Sequence, residues 1–302
     1  MRNFKAFIYL MRPANIMTSM ADIFAGFFVA HTYTITTSHE FDFWIPLLWL
    51  LLSTTGLYGG GIIFNDVRDA ELDRKERPER LIPSGIITRK QAAIFGLSLF
   101  AIGISAAYQV SFLSFYIAVI ICFLTFFYNF YAKHFTYLGA LIMGLCRSSN
   151  LILGASAAGE LGNSLEIPLG ILSASQLMFV AAITLISKKE VSTSFKASFW
   201  PSAILYILSI ILTTFAIIHR GLEIMPSLAL MVLFSYSIFK PLLKAMKKPH
   251  PLVVRQAVKA GILSLILSDA AIVTGFASWE YGVGVLGLIP LSYLFAKYCS
   301  VT

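Results

Sequence analysis

Long apolar runs separated by short polar joints dominate the chain. Runs of roughly 18 or more residues read as bilayer-spanning helices. Ten occur, at about 14–31, 44–64, 92–109, 112–131, 137–158, 167–186, 199–218, 224–243, 255–276 and 281–298. The joints at 109–112, 219–224 and 276–281 are short, so the pattern predicts nine or ten spans. The expected architecture is all-α, a polytopic transmembrane helical bundle forming one domain over residues 1–302.

One polar stretch breaks the rhythm: Asn65-Asp66-Val67-Arg68-Asp69-Ala70-Glu71-Leu72-Asp73. Asn65, Asp69 and Asp73 are spaced i, i+4, i+8, so a helix continuing out of the second run carries an amide and two carboxylates on one face. Stacked like charges weaken a helix. A divalent cation would neutralise them, and the flanking Arg68, Arg74, Lys75, Arg77 and Arg80 suit a diphosphate held by that cation. The segment closes with Pro83-Ser84-Gly85, a turn signal.

Composition agrees with the pattern. The chain is 58% hydrophobic and 13% charged, with mean hydropathy +0.79, unlike a soluble domain. The net charge of +8 invites a nucleic-acid reading, but its distribution excludes it. With a cytoplasmic N-terminus, every Lys and Arg except Arg220 and the intramembrane Arg147 falls on the cytoplasmic side. Asymmetry of this kind sets orientation. It predicts a multi-pass protein of the cell (inner) membrane, with no nucleic-acid partner. Cys122, Cys146 and Cys299 lie in apolar context without CxxC pairing, so neither a disulfide framework nor a thiolate metal site is expected. No cleavable signal peptide is expected, since the first span lacks a small-residue cleavage site.

Three charges fall inside spans: Asp22, Arg147 and Asp269. Such residues face the bundle interior and find partners. Arg147 pairs with Asp22 or Asp269, or lines a cavity with Ser148, Ser149 and Asn150. Asn15, Ser19, Asp22 and Gly26 make one face of the first span polar or small. Gly59-Gly60-Gly61, Gly139, Gly144 and Gly154 read as helix-packing positions. Tyr128-Asn129-Phe130-Tyr131-Ala132-Lys133 ends the fourth span either as interfacial anchors or as part of a site.

Together, RPAN at 12–15, NDVRDAELD at 65–73, RLIPSG at 80–85 and YNFYAK at 128–133 resemble the UbiA superfamily of intramembrane prenyltransferases. In detail they are similar to its EboC branch. The resemblance implies a bundle around a membrane-embedded cavity that takes a polyprenyl diphosphate and a lipophilic acceptor. It implies Mg²⁺ on Asn65, Asp69 and Asp73, with Asp66 nearby, and the diphosphate on Arg80, Tyr128 and Lys133. Asp69, Asp73, Lys133 and Tyr128 would be catalytic, and Asn15 would line the head of the cavity. Where the family carries a second pair of aspartates after the sixth span, this chain has Ile186-Ser187-Lys188-Lys189-Glu190-Val191-Ser192-Thr193-Ser194. Glu190 is the only acid left for a metal there, and Lys188 and Lys189 would contact the diphosphate directly. Leu81 also replaces a family proline. The implied activity is prenyl transfer to an aromatic or other lipophilic acceptor. The alternatives are a non-catalytic protein that binds or moves a prenylated lipid, and an ion-coupled transporter using Asp22, Arg147 and Asp269.

Overall fold

A computed structural model of the chain describes residues 2–34, 44–158, 163–191 and 199–299. All regular structure among them is helical: α1 Arg2–Leu10, α2 Pro13–Thr34, α3 Trp44–Glu76, α4 Arg89–Tyr108, α5 Phe112–Phe130, α6 Thr136–Ala155, α7 Asn163–Val191, α8 Trp200–Arg220, α9 Ile224–Lys247, α10 Pro251–Phe276, α11 Trp279–Leu286 and α12 Leu288–Cys299. Ten segments among the described residues are long and apolar enough to cross a membrane. The tenth is α11 and α12 together, so the short joint at 276–281 separates two spans.

Helices adjacent in sequence pair as hairpins, α3 with α4, α6 with α7, α7 with α8 and α9 with α10. The central member is α2, which packs on both α6 and α10 and so joins the early helices to the late ones. Apolar association alone gives little drive inside a bilayer, so close packing at small residues matters. At the α2–α6 crossing, a methyl group built on Gly26 would sit 1.8 Å from the Leu151 carbonyl oxygen, and one on Gly154 would sit 2.4 Å from that of Ile23. Aromatic rings tie the other side: Phe64 of α3 meets Phe100 of α4 at 5.6 Å and Phe126 of α5 at 4.8 Å between centroids.

Two features position the site. First, α3 continues for three further turns past its apolar run to Glu76, as the ladder spacing requires. Second, the connection 77–88 folds back over it. Ser84 N–H donates to the Arg80 carbonyl at 2.9 Å, Gly85 takes φ 78°, and Ile87 N–H donates to the Leu81 carbonyl at 3.1 Å. Thr88 then caps α4 reciprocally with Gln91. Leu81, Ile82 and Ile87 are buried in a small cluster with Ala6 and Leu10 of α1 and Ile63 and Ala70 of α3. The short amphipathic α1, absent from the span pattern, is the cover of that connection, and Phe7 packs edge-on against Phe95 at 5.0 Å.

Gly26→Ala should therefore force α2 from α6 and cost about 1–3 kcal/mol. A lowered unfolding midpoint in detergent would register this. Gly170→Ala, where a methyl group meets nothing within 4 Å, should leave the midpoint unchanged.

Candidate functional site

A cavity of about 250 Å³ opens between α2, α3, α5 and α6. Its rim carries Arg12, Asn15, Asn65, Tyr128 and Asn129, and its inner end carries Thr54, Arg147 and Asn150. Leu57, Ile62, Ile121 and Met143 supply apolar wall between them. Of the residues singled out from sequence, Asn15, Asn65, Tyr128 and Arg147 thus share one cavity.

Beyond the rim, α3 presents its carboxylates to cations from three other segments. Asp66 accepts two hydrogen bonds from Arg12, at 2.6 and 2.9 Å. Asp73 accepts one from Arg80 at 2.6 Å, and Arg80 also lies 3.5 Å from Asp66. Asp69 pairs with Lys133, on the 3₁₀ turn Ala132–His134 after α5. The side chains of Asp66 and Asp73 are largely buried and that of Asp69 is more open. Asp66, expected beside the ladder, shares Arg80 with Asp73. Lys188 joins the group from α7, donating its Nζ–H to the Lys133 carbonyl. The side chains of Lys189 and Glu190 lie outside the described residues.

Arg12 was legible only as part of RPAN, yet it holds the strained point of the site. Its φ of 50° places it in the left-handed region, alone among the described non-glycine residues. That conformation costs a residue with a Cβ roughly 1–2 kcal/mol. Arg12 lies at the joint between α1 and α2, where its side chain makes the paired hydrogen bonds to Asp66.

The intramembrane charges resolve into one network. Arg147 Nε lies 3.1 Å from Asp22 Oδ2, and its Nη2–H donates to the Thr18 carbonyl at 3.0 Å. Asp269 does not pair with Arg147. It accepts from Gln176 at 2.7 Å, and Gln176 also donates to Asp22 at 3.0 Å. Gln176, an amide within an apolar run, was the available signal for this link. The network ties α2, α6, α7 and α10 through fully or nearly fully buried groups.

The donor set fits a hard divalent cation. Asn65, Asp66, Asp69 and Asp73 offer only oxygen ligands and amide, the chemistry such ions take. Among the described residues no three His, Cys, Asp or Glu side chains are already gathered as a metal cluster. The aspartates are instead bound to Arg12, Arg80 and Lys133.

A model of the UbiA prenyltransferase family matches residues 23–240. The chain belongs to the UbiA prenyltransferase family. The digeranylgeranylglyceryl phosphate synthase of Sulfolobus acidocaldarius is 32% identical over 164 residues, which cover 54% of this chain and 57% of that protein. That of Thermococcus kodakarensis is 30% identical over 159 residues, 53% of this chain and 55% of its own. The chain spans about half the length of the curated relatives it matches. A solved structure concerned with digeranylgeranylglyceryl phosphate synthase in membranes aligns over 93% of this chain and 100% of its own, at TM-score 0.67 and 21% identity. A UbiA homologue from Archaeoglobus fulgidus bound to GPP and Mg²⁺ aligns over 88% and 99%, at TM-score 0.62 and 15% identity. At these identities the structures speak to the fold. These similarities extend to the family and do not resolve a branch such as EboC.

Arg147→Met should strand Asp22 as a buried charge without its cation. We expect a loss of about 3–5 kcal/mol, read from chemical unfolding in detergent. Adding Asp22→Leu should recover part of it.

Proposed function

We propose that the protein is a Mg²⁺-dependent membrane prenyltransferase, moving a prenyl group from a polyprenyl diphosphate to a lipophilic acceptor. The observation that carries this reading is the meeting of Asp66, Asp69 and Asp73 with Arg12, Arg80 and Lys133 at the mouth of an intramembrane cavity. The whole chain, residues 1–302, would act as one UbiA-like unit. Its basic asymmetry would place the mouth on the cytoplasmic side of the cell (inner) membrane. The names of the relatives, and the A. fulgidus homologue with GPP and Mg²⁺, support the substrate class.

On this reading Asn65, Asp69 and Asp73 would hold Mg²⁺, with Asp66 at hand and Glu190 contributing from the end of α7. Bound there, the ion supplies charge neutralisation for the leaving diphosphate. The carboxylates would exchange their internal cations for the metal, and Arg80 and Lys133 would turn to the diphosphate oxygens. Tyr128 and Asn15 would orient the diphosphate and the first carbons at the rim. Lys188 and Lys189 would add cationic contacts where the family has aspartates. The allylic C–O bond breaks with its electron pair going to the diphosphate. An electron-rich acceptor carbon or oxygen then donates a pair to the prenyl cation and gives up its proton to the released diphosphate. The apolar wall of Leu57, Ile62, Ile121 and Met143 keeps water from that cation.

A second reading keeps the bundle and drops the transfer: a non-catalytic protein that binds or moves a prenylated lipid. What favours it is the remodelled second motif, with Glu190 as its only acid. Product formation with any acceptor would reject it.

Calorimetric titration of geranyl diphosphate into the purified protein should show binding that depends on Mg²⁺ and is lost in excess chelator. Asp69→Ala and Asp73→Ala should each weaken it by at least about tenfold. Unchanged binding in both variants would sink the proposal.

A further inference from the structure

A second hollow lies between α1 and the first turns of α4. It is an open groove of about 500 Å³, with Phe7, Ile8 and Met11 of α1 on one side and Ile94 and Phe95 of α4 on the other. Gln91 stands at one end and Ser98 at the other. Ile94 is exposed, and Phe7, Ile8, Met11 and Phe95 are only half-buried, so the wall is unfilled apolar surface. From Gln91 to Ser98 the groove runs about 10 Å along α4, from the helical rise per residue. That helix starts after Thr88, at the end of the 77–88 connection, and is a membrane span from there on. The groove therefore begins at the bilayer edge and points inward, as an acyl chain does.

The position of α1 creates it. Ala6 and Leu10 seat the helix on the 77–88 connection, and Met11 lies against Gly59 of α3, where a methyl group would sit 3.0 Å from Met11 Cε. This seating leaves Phe7, Ile8 and Met11 facing α4 across the groove, where the Phe7 ring meets Phe95 edge-on.

The edge of the groove is cationic. Lys90 precedes Ile94 by four residues and Lys5 precedes Ile8 by three, so both flank the apolar wall. Both are exposed, and among the described residues neither is in an ion pair. Their neighbour Arg89 is engaged by Glu71 at 3.9 Å, and Arg12, Arg80 and Lys133 are held by the aspartates. Gln91 gives its Oε1 to Thr88 and keeps its amide N–H groups for another acceptor.

An acyl chain gains little by exchanging other lipid chains for apolar protein, so selectivity has to come from the headgroup. Lysines at a membrane surface favour anionic lipids, and two of them give a preference of at least about tenfold. We infer that the α1–α4 groove is a binding site for an anionic phospholipid, with one acyl chain along Phe7, Ile8, Met11, Ile94 and Phe95 and the phosphate against Lys5 and Lys90. Occupied, it would brace the helix that covers the connection carrying Arg80. The inference is independent of the prenyl transfer reading, since none of these side chains lines the cavity between α2, α3, α5 and α6.

The test is native mass spectrometry of the full-length protein, stripped of lipid in detergent and titrated with phosphatidylglycerol or phosphatidylcholine of identical acyl chains. The first phosphatidylglycerol should bind at least about tenfold more tightly. Lys5→Gln combined with Lys90→Gln should bring the two lipids to within about twofold. Lys247→Gln combined with Lys248→Gln removes the same charge at the end of α9 and should leave the preference unchanged. Ser98→Trp fills the inner end of the groove, keeps both lysines and should weaken phosphatidylglycerol binding at least about tenfold. All five positions are exposed, so folding is not at stake. Equal affinity for the two lipids would overturn the site. So would a preference that survives loss of Lys5 and Lys90, or one that falls as far with Lys247 and Lys248. A dimer in the spectrum that Ser98→Trp dissociates would make a second copy of the chain the occupant and would also overturn it.

Discussion

Carboxylates placed at the edge of a bilayer must be neutralised, and that requirement organises the charged end of this bundle. Asp66, Asp69 and Asp73 stand on one helix within two turns of each other, so their mutual repulsion would fray α3 if nothing answered it. The answer comes from far along the chain: Arg12 before α2, Arg80 in the 77–88 connection and Lys133 after α5. Each cation requires its own segment to be in place. The strained backbone at Arg12, the buried Leu81 and Ile82 behind Arg80, and the 3₁₀ turn beneath Lys133 follow from the same demand. The pairs also define what the site can do, since cations gathered for carboxylates are equally suited to a diphosphate once a metal takes the carboxylates.

The interior follows a different rule. Inside the bundle polar groups are few, and they bond across helices: Thr54 to Asn150, Asn150 and Gln176 to Asp22, Gln176 to Asp269. With no water to compete, each such contact fixes the register of two helices. Glycines at the α2–α6 crossing bring the backbones close enough for these bonds to form. One layer of side chains therefore holds the early helices to the late ones.

Local periodicity made much of this legible in sequence. The spans, the continuation of α3 into the ladder and the turn at Pro83-Ser84-Gly85 all depend on neighbours within a few residues. The nine-or-ten ambiguity at 109–112, 219–224 and 276–281 was harder, because a short joint between two helices carries little signal of its own. The hidden parts are long-range. No spacing rule could choose Asp22 over Asp269 for Arg147, assign Arg12 to Asp66, or add Gln176 to the network, since those pairings are set by how helices distant in sequence cross. The amphipathic α1 was missed because its nine residues fall below any span length, and its role as a cover exists only once the 77–88 connection has folded. The side chains of Lys189 and Glu190, on which the remodelled second motif turns, fall outside the described residues.

Partner exchange at the mouth of the cavity would be visible in an experimental structure with Mg²⁺ and geranyl diphosphate bound. The diphosphate should lie at the rim, with Lys133 turned from Asp69 and Arg80 from Asp73 onto its oxygens, and the metal on Asn65, Asp69 and Asp73. A bound ligand with the Lys133–Asp69 and Arg80–Asp73 pairs still intact, or a diphosphate seated elsewhere on the bundle, would contradict it.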